Sequence, residues 1–293
     1  MIKLIRHLVN IKKTRNKILP YIHFKIKKAM RIDTSTLLPS PNIIDIVIPV
    51  ARKDLDVLNV MLESLRFIKN NIGQIFIISD KNNYDLISSC KIRNVKFIDE
   101  IELLGFSKEI INYKVNGIDR SGWLFQQLLK LSSDKVVSTE YFLVLDSDTV
   151  FIKPIVFLDI YGNTLFFQSD EYHLPYFEAI KKLIPRLEPY GVSFVSHGML
   201  FKKEILQKMK EEIGINSGKK WYEAIIELTN NNNNPSCFSE YELYANYYIN
   251  NSNKYKLYPL LNISLPRRDL YNLDKYTHYS TQYTSLSFHS YNK

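Results

Sequence analysis

The stretch YFLVLDSDTVFIKP, residues 141–154, decides how this chain is read. Its first five residues, Tyr141 to Leu145, are apolar and aromatic, with the length of a strand buried on both faces. Two carboxylates follow one residue apart, Asp146 and Asp148. A doubly covered strand cannot hold ionised carboxylates in its interior, because taking a charge out of water without a partner is too unfavourable. Both acids therefore belong where the chain leaves the sheet, and the alternation across Ser147 turns them to the same side. In open α/β sheets that carboxyl edge is where ligands bind. Two hard oxygen donors converging there suit Mg²⁺ or Mn²⁺, ions that bridge a protein carboxylate and a substrate diphosphate. An Asx-turn or a cap would use the same residues with no ion. The apolar run before the acids, with Phe151, Ile152 and Pro154 after them, favours the metal.

Working upstream, IIDIVIPV (43–50), IFIISD (75–80) and VKFID (95–99) are further runs of buried-strand length. Helical spacing separates the first two, through Leu55, Leu58, Met61, Leu62 and Leu65. Strand, helix, strand in succession predicts an α/β fold, with a mostly parallel central sheet and helices on both faces. GWLFQQLLKL (122–131) has helical spacing: Trp123, Gln126, Gln127 and Lys130 share one face, and Leu124, Leu128 and Leu131 the other. An aromatic ring beside two amides and an ammonium suits a nucleotide diphosphate, although a solvated face is the plain alternative.

The chain has 293 residues, 45% of them hydrophobic, enough for one large domain. Its net charge of +9 is localised. Residues 1–32 carry ten Lys or Arg and no acid, and the segment from Asn42 onward has 29 of each sign. Pro39, Ser40 and Pro41 mark a linker, so residues 1–41 are a basic N-terminal segment and 42–293 the main domain. Apolar residues interleave with the cations, a pattern that fits a helix on an anionic membrane surface or a solvated basic leader. No reader motif or aromatic platform accompanies the charge, which excludes nucleic acid as a partner. The N-terminus has no secretory signal and no apolar stretch reaches bilayer length, which predicts a cytoplasmic protein, with peripheral membrane association open. The two cysteines, Cys90 and Cys237, stand in no metal-binding or disulfide spacing.

Four features, DIVIPV (45–50), GWLFQQLLKL, LDSDTVFIKP (145–154) and SEYELY (239–244), together resemble nucleotide-sugar-dependent glycosyltransferases of the GT-A fold. The resemblance spans residues 43–290 and is nearest to poorly characterised microbial members of that group. It implies transfer of a sugar from a nucleotide-diphosphate donor, a UDP-sugar first, to a hydroxyl of a carbohydrate or lipid-linked acceptor in polysaccharide or glycoconjugate synthesis. Asp146 and Asp148 would hold Mn²⁺ or Mg²⁺, with Ser147 between them at the donor. A histidine of the C-terminal segment, His289 or alternatively His278, would be a third ligand. Pro49 and Val50 would border the nucleoside, and Asp80 would accept from a uracil or ribose or simply make a turn. His197, in a turn after a strand, would contact a sugar.

For the general base that an inverting enzyme needs and a retaining one does not, the resemblance points to the start of the helix at SEYELY. Ser239 with Glu242 fits a capping box, which leaves Glu240 as the freer acid. Glu242 and Asp170, the latter on the strand exit FFQSDEYH (166–173) with Glu171, are substitutes. Two rival readings are nucleotidyl transfer, weakened by the lack of a glycine-rich loop after the first strand, and a non-catalytic carbohydrate- or membrane-binding protein on the same fold.

Overall fold

The computed structural model describes residues 18–89 and 94–290. Residues 18–29 form helix α1. After it come β1 (Ile43–Pro49), α2 (Leu55–Ser64), β2 (Asn71–Ser79), α3 (Tyr84–Ser88), β3 (Val95–Asp99) and α4 (Glu100–Leu104). A short hairpin, β4 (Lys114–Val115) and β5 (Ile118–Asp119), leads to α5 (Ser121–Ser132), β6 (Tyr141–Leu145) and β7 (Thr149–Phe151). The second half contains β8 (Thr164–Gln168), α6 (Leu174–Leu183), β9 (Gly198–Lys202), α7 (Lys203–Ser217), α8 (Trp221–Asn230) and α9 (Glu240–Asn251). It ends with β10 (Tyr255–Pro259), β11 (Asn262–Ser264), α10 (Leu273–Ser280) and β12 (Ser285–Ser287).

The central sheet has the order β3-β2-β1-β6-β9, parallel except for β9, which runs antiparallel to β6. β1, β6 and β9 are buried on both faces, as their unbroken apolar runs predict, whereas the edge strand β3 is only partly covered. Alternate side chains feed two separate cores. Ile46 and Ile48 of β1, with Leu143 and Leu145 of β6, pack with Val57, Leu58 and Met61 of α2. Val47, Phe142 and Val144 face the other way, toward Leu124, Leu128 and Leu131 of α5 and Tyr244 and Tyr248 of α9. Both faces of the sheet are thus closed, and only its edges can receive a ligand. At the amino edge the Asp45 carboxylate of β1 is sealed by backbone amides, accepting from Gln74 N (2.9 Å) and Ser138 N (3.0 Å).

Helix α1 docks by burying Phe24, by Lys27 Nζ donating to Leu257 O (2.8 Å) and by Lys25 and Lys28 pairing with Asp170. Its lysines therefore turn inward. Ile22, Ile26 and Met30, one turn apart, are exposed on the opposite side, and Ile18 is exposed at the end of the helix. The greater part of the basic leader, residues 1–17, lies outside the described residues, as does Cys90. Among the described residues no helix is long and apolar enough to cross a membrane.

Candidate functional site

Two strand pairings assemble the carboxyl edge. In the first, Leu145 of β6 lies opposite Gly198 of β9, so the residue before Gly198 meets the residue after Leu145. Asp146 N donates to His197 O (2.9 Å), and His197 Nδ1 lies 3.3 Å from Asp146 Oδ2. His197 thus precedes a strand instead of following one, and it reaches the site because that strand is antiparallel. Its φ of 58° is a left-handed conformation that few non-glycine residues adopt. In the second pairing, Ser287 of β12 lies opposite Thr149 of β7. Phe288 N then donates to Asp148 O (2.8 Å), and the His289 Nδ1 to Asp148 Oδ2 distance is 2.9 Å. His289 therefore joins the acidic pair; His278 sits on α10 and lines neither cavity described below.

Helix α5 brings a buried cation to the same place. Lys130, only 8% exposed, donates to Asp146 Oδ1 (2.5 Å) and to Glu240 Oε1 (2.6 Å), and its ammonium lies 4.3 Å from the centre of the Tyr241 ring. Tyr241 also donates its hydroxyl to Asp146 Oδ1 (3.0 Å). Burial would raise the Asp146 pKa, but Lys130 and His197 outweigh it and hold the carboxyl well below the usual range. Burial likewise disfavours the charged forms of Lys130 and His197. Asp146 and Glu240 outweigh it for the lysine, and Asp146 for the histidine, so both hold their protons more tightly than usual. Glu240 is pushed up by burial, against the opposing pull of Lys130.

Around this cluster opens a cavity of about 340 Å³, on which Glu240, Asp148, His289, Glu171 and Tyr176 converge. Trp123, Gln126, Gln127 and Lys130 all line it, so the polar face of α5 closes over a cavity and not over solvent. Gln127 accepts from Glu240 N (3.0 Å), and its buried Nε2 has no partner among the described residues. A second cavity of about 500 Å³ adjoins the first through Lys53, Arg120, Trp123 and Gln126, which belong to both. It lies over the carboxyl ends of β1, β2 and β3, where Val50, Asp80 and Glu100 border it, while Pro49 borders the smaller one. Asp80 caps the turn after β2, accepting from Asn82 N (2.8 Å), and still faces this cavity. Burial and the neighbouring Asp80 and Asp99 raise Glu100 to about 6. The Trp123 ring is covered by the Arg120 guanidinium, 4.3 Å from its centre.

Three expectations need revision. Asp170 is unsuited as a substitute base: its carboxylate is drawn outward to Lys25 (2.6 Å) and Lys28, and the adjacent Glu171 faces the cavity in its place. Alternation along an extended segment separates the two acids. The capping box is half formed, with Ser239 Oγ accepting from Glu242 N (3.4 Å). The Glu242 side chain turns away and accepts from Ser193 Oγ (2.5 Å) and Phe194 N (2.9 Å), outside the cavity, and burial lifts it to about 7. Glu240 is not the freer acid that the sequence predicts, since Lys130 holds it. Ser147 is buried and lines the smaller cavity, with its hydroxyl 3.4 Å from Asp54. The sequence reading passed over Tyr241, Tyr176 and Lys53. Tyr241 carried a signal, standing between two acids at a helix start.

Among the described residues, no three His, Cys, Asp or Glu side chains come close enough together to hold a metal ion. The donor chemistry nevertheless suits a divalent cation on one side of the motif. Asp148 and His289 present a hard carboxylate and an imidazole to the cavity, a set that matches Mn²⁺ when substrate oxygens complete it. The oxygens of Asp146 are already engaged by Lys130, Tyr241 and His197.

Among solved structures, the fold was compared with galactosyltransferase LgtC in complex with donor and acceptor sugar analogs (12% identity, TM-score 0.43, 84% of this chain and 87% of that one). An active-site mutant of LgtC overlaps similarly, at 12% identity and a TM-score of 0.44 over the same shares. Overlap this loose bears on neither the fold family nor the site. No curated protein sequence matches the chain. A family model described as a family of unknown function, DUF6492, matches residues 41–284, and the chain therefore belongs to that family.

Proposed function

We propose that the protein is a metal-dependent glycosyltransferase of the GT-A type, moving a sugar from a nucleotide-diphosphate donor to an acceptor hydroxyl. The observation that carries this reading is the pair of joined cavities on one sheet edge. One has room and polar groups for a nucleoside; the other gathers the carboxylates, the imidazoles and Glu240. Lys53, Arg120 and Gln126, common to both, would bind the diphosphate that links nucleoside and sugar. Asp148 and His289 would hold Mn²⁺ or Mg²⁺, which when bound supplies positive charge to the leaving diphosphate. Glu240 takes the proton of the acceptor hydroxyl; its burial beside the cavity raises its basicity above that of a solvated carboxylate. Glu171 and Tyr176, on the same cavity, orient the sugar hydroxyls.

The test is incubation of the full chain with a panel of nucleotide sugars and Mn²⁺, led by UDP-sugars, with products separated by chromatography. Release of nucleoside diphosphate by wild type and not by Asp148→Ala supports the reading. Release of sugar 1-phosphate, the leaving group when the nucleoside monophosphate is the part moved, would mean nucleotidyl transfer, and binding without turnover would mean a non-catalytic protein; either result overturns it.

For the acceptor, we infer that the basic segment 1–32 brings the enzyme to an anionic membrane surface, which suits a lipid-linked acceptor in surface-polysaccharide or glycoconjugate synthesis. The exposed Ile22, Ile26 and Met30 supply the apolar side of such a helix. Sedimentation with anionic liposomes should be lost in Ile22→Asp/Ile26→Asp while donor hydrolysis is retained. Undiminished sedimentation of that variant would refute the anchor.

A further inference from the structure

Resting on the reading of the smaller cavity as a cation and diphosphate site, we propose that the Asp-Ser-Asp motif is split between two cations. Lys130 is a permanent one that occupies Asp146, and the exchangeable divalent ion is held from the Asp148 side. Lys130 is the positioning residue of this arrangement. It is fixed on α5, nearly enclosed, and bonded at once to a carboxylate following β6 and a carboxylate opening α9. An ammonium so placed ties three elements together.

The partner counts of the two acids differ. Asp146 receives Lys130 and Tyr241 on Oδ1 and His197 on Oδ2; Lys130 and Tyr241 are buried and the His197 side chain is 11% exposed. To ligate a metal it would have to give up a charge-assisted bond inside a low-dielectric cluster and leave the ammonium with Glu240 alone, a costly exchange. Asp148 has the His289 imidazole at 2.9 Å, itself a ligand type for Mn²⁺, and both border the cavity. An ion arriving there displaces the Asp148–His289 contact and leaves the Lys130 pairs intact. The same lysine fixes the Glu240 carboxylate at the cavity wall, so one residue sets the base and keeps the first aspartate from the metal.

The experiment is Mn²⁺ binding to the full chain, followed by electron paramagnetic resonance and calorimetry, with thermal melts to monitor folding. Asp148→Asn and His289→Ala should each weaken Mn²⁺ by about tenfold or more, whereas loss of Asp146 should change it by less than about threefold. Because Asp146→Asn leaves Lys130 buried beside one acid, the neutral pair Asp146→Asn/Lys130→Met is measured alongside it and removes both charges together. Lys130→Gln should bind Mn²⁺ more tightly than wild type, since the freed carboxylate becomes available, and Mn²⁺ should raise its melting temperature more than it raises that of wild type. Lys130→Arg should restore the wild-type affinity. Equal weakening by the double variant and by Asp148→Asn, or failure of wild type to bind Mn²⁺ at all, overturns the split. Donor turnover by wild type is scored separately: sugar transfer with affinities that contradict the split removes this inference and leaves the transferase reading standing.

Discussion

Asp45, buried at the amino edge of the sheet, and Asp146, 23% exposed just past the carboxyl edge of the neighbouring strand, are satisfied in opposite ways. Asp45 accepts from the backbone amides of Gln74, Ser138 and Thr139, and it lines neither cavity. Asp146 is met by the side chains of Lys130, His197 and Tyr241 on the wall of a cavity. Backbone partners hold a charge in place permanently, as part of the fold. Side-chain partners gathered around open space form a set of charges that a ligand can address. The two carboxylates are thereby a structural device and a chemical one.

The comparison is broken most forcefully at the chemical end. Glu240→Gln keeps the shape of the Lys130 cluster while removing the proton acceptor, and sugar transfer should fall by roughly a hundredfold or more. Lys130 then keeps only Asp146, so the melting temperature should also fall, and steady-state kinetics of the folded protein beside a thermal melt would check both. Asp45→Ala should act on the fold alone. It leaves three part-buried amides unpaired, so urea denaturation should show a loss of about 1–3 kcal/mol, with specific activity of the folded fraction unchanged. An Asp45 variant that folds normally but loses activity would erase the distinction.

A smaller effect belongs to the larger cavity, where Trp123→Ala removes the ring that Arg120 covers. Nucleoside diphosphate affinity measured by calorimetry should drop by about tenfold, the order expected for one stacking aromatic. A pH-dependent effect concerns Glu242, whose carboxyl is raised by burial to about 7. An acid with a raised folded pKa stabilises the fold fully below its ordinary pKa, and that contribution is lost as pH rises through the folded value. Denaturation midpoints of wild type should therefore decline between about pH 5 and pH 8, by at most roughly 3 kcal/mol. Those of Glu242→Gln should be flatter across that interval.

The architecture was legible because unbroken apolar runs report burial on both faces. From IIDIVIPV and YFLVL alone, β1 and β6 could be placed in the sheet interior and Asp146 and Asp148 at its exit. The polar face of α5 was equally plain, since Trp123, Gln126, Gln127 and Lys130 recur at helical spacing and all reach the cavity. The rest depended on pairings that no local pattern carries. Sequence made His289 a candidate, but its meeting with Asp148 needs β12 to lie against β7 across more than a hundred residues. His197 was placed after a strand because nothing in SFVSHGMLF reveals that the strand begins at Gly198 and runs antiparallel. Which of Asp170 and Glu171 faces inward depends on side-chain alternation at a strand exit, and on a helix far away in sequence whose lysines claim Asp170. The partnership of Glu240 with Lys130 joins residues 110 positions apart and was invisible for the same reason.

The most direct test of the account is a crystal of the full chain soaked with MnCl₂ and a nucleoside diphosphate, read by anomalous diffraction. The account predicts a manganese peak beside Asp148 and His289, with the base over the ends of β1 to β3 and the diphosphate crossing between the cavities past Lys53, Arg120 and Gln126. A nucleotide bound elsewhere, or seated there with Asp148 taking no part in holding the ion or the phosphates, would contradict it.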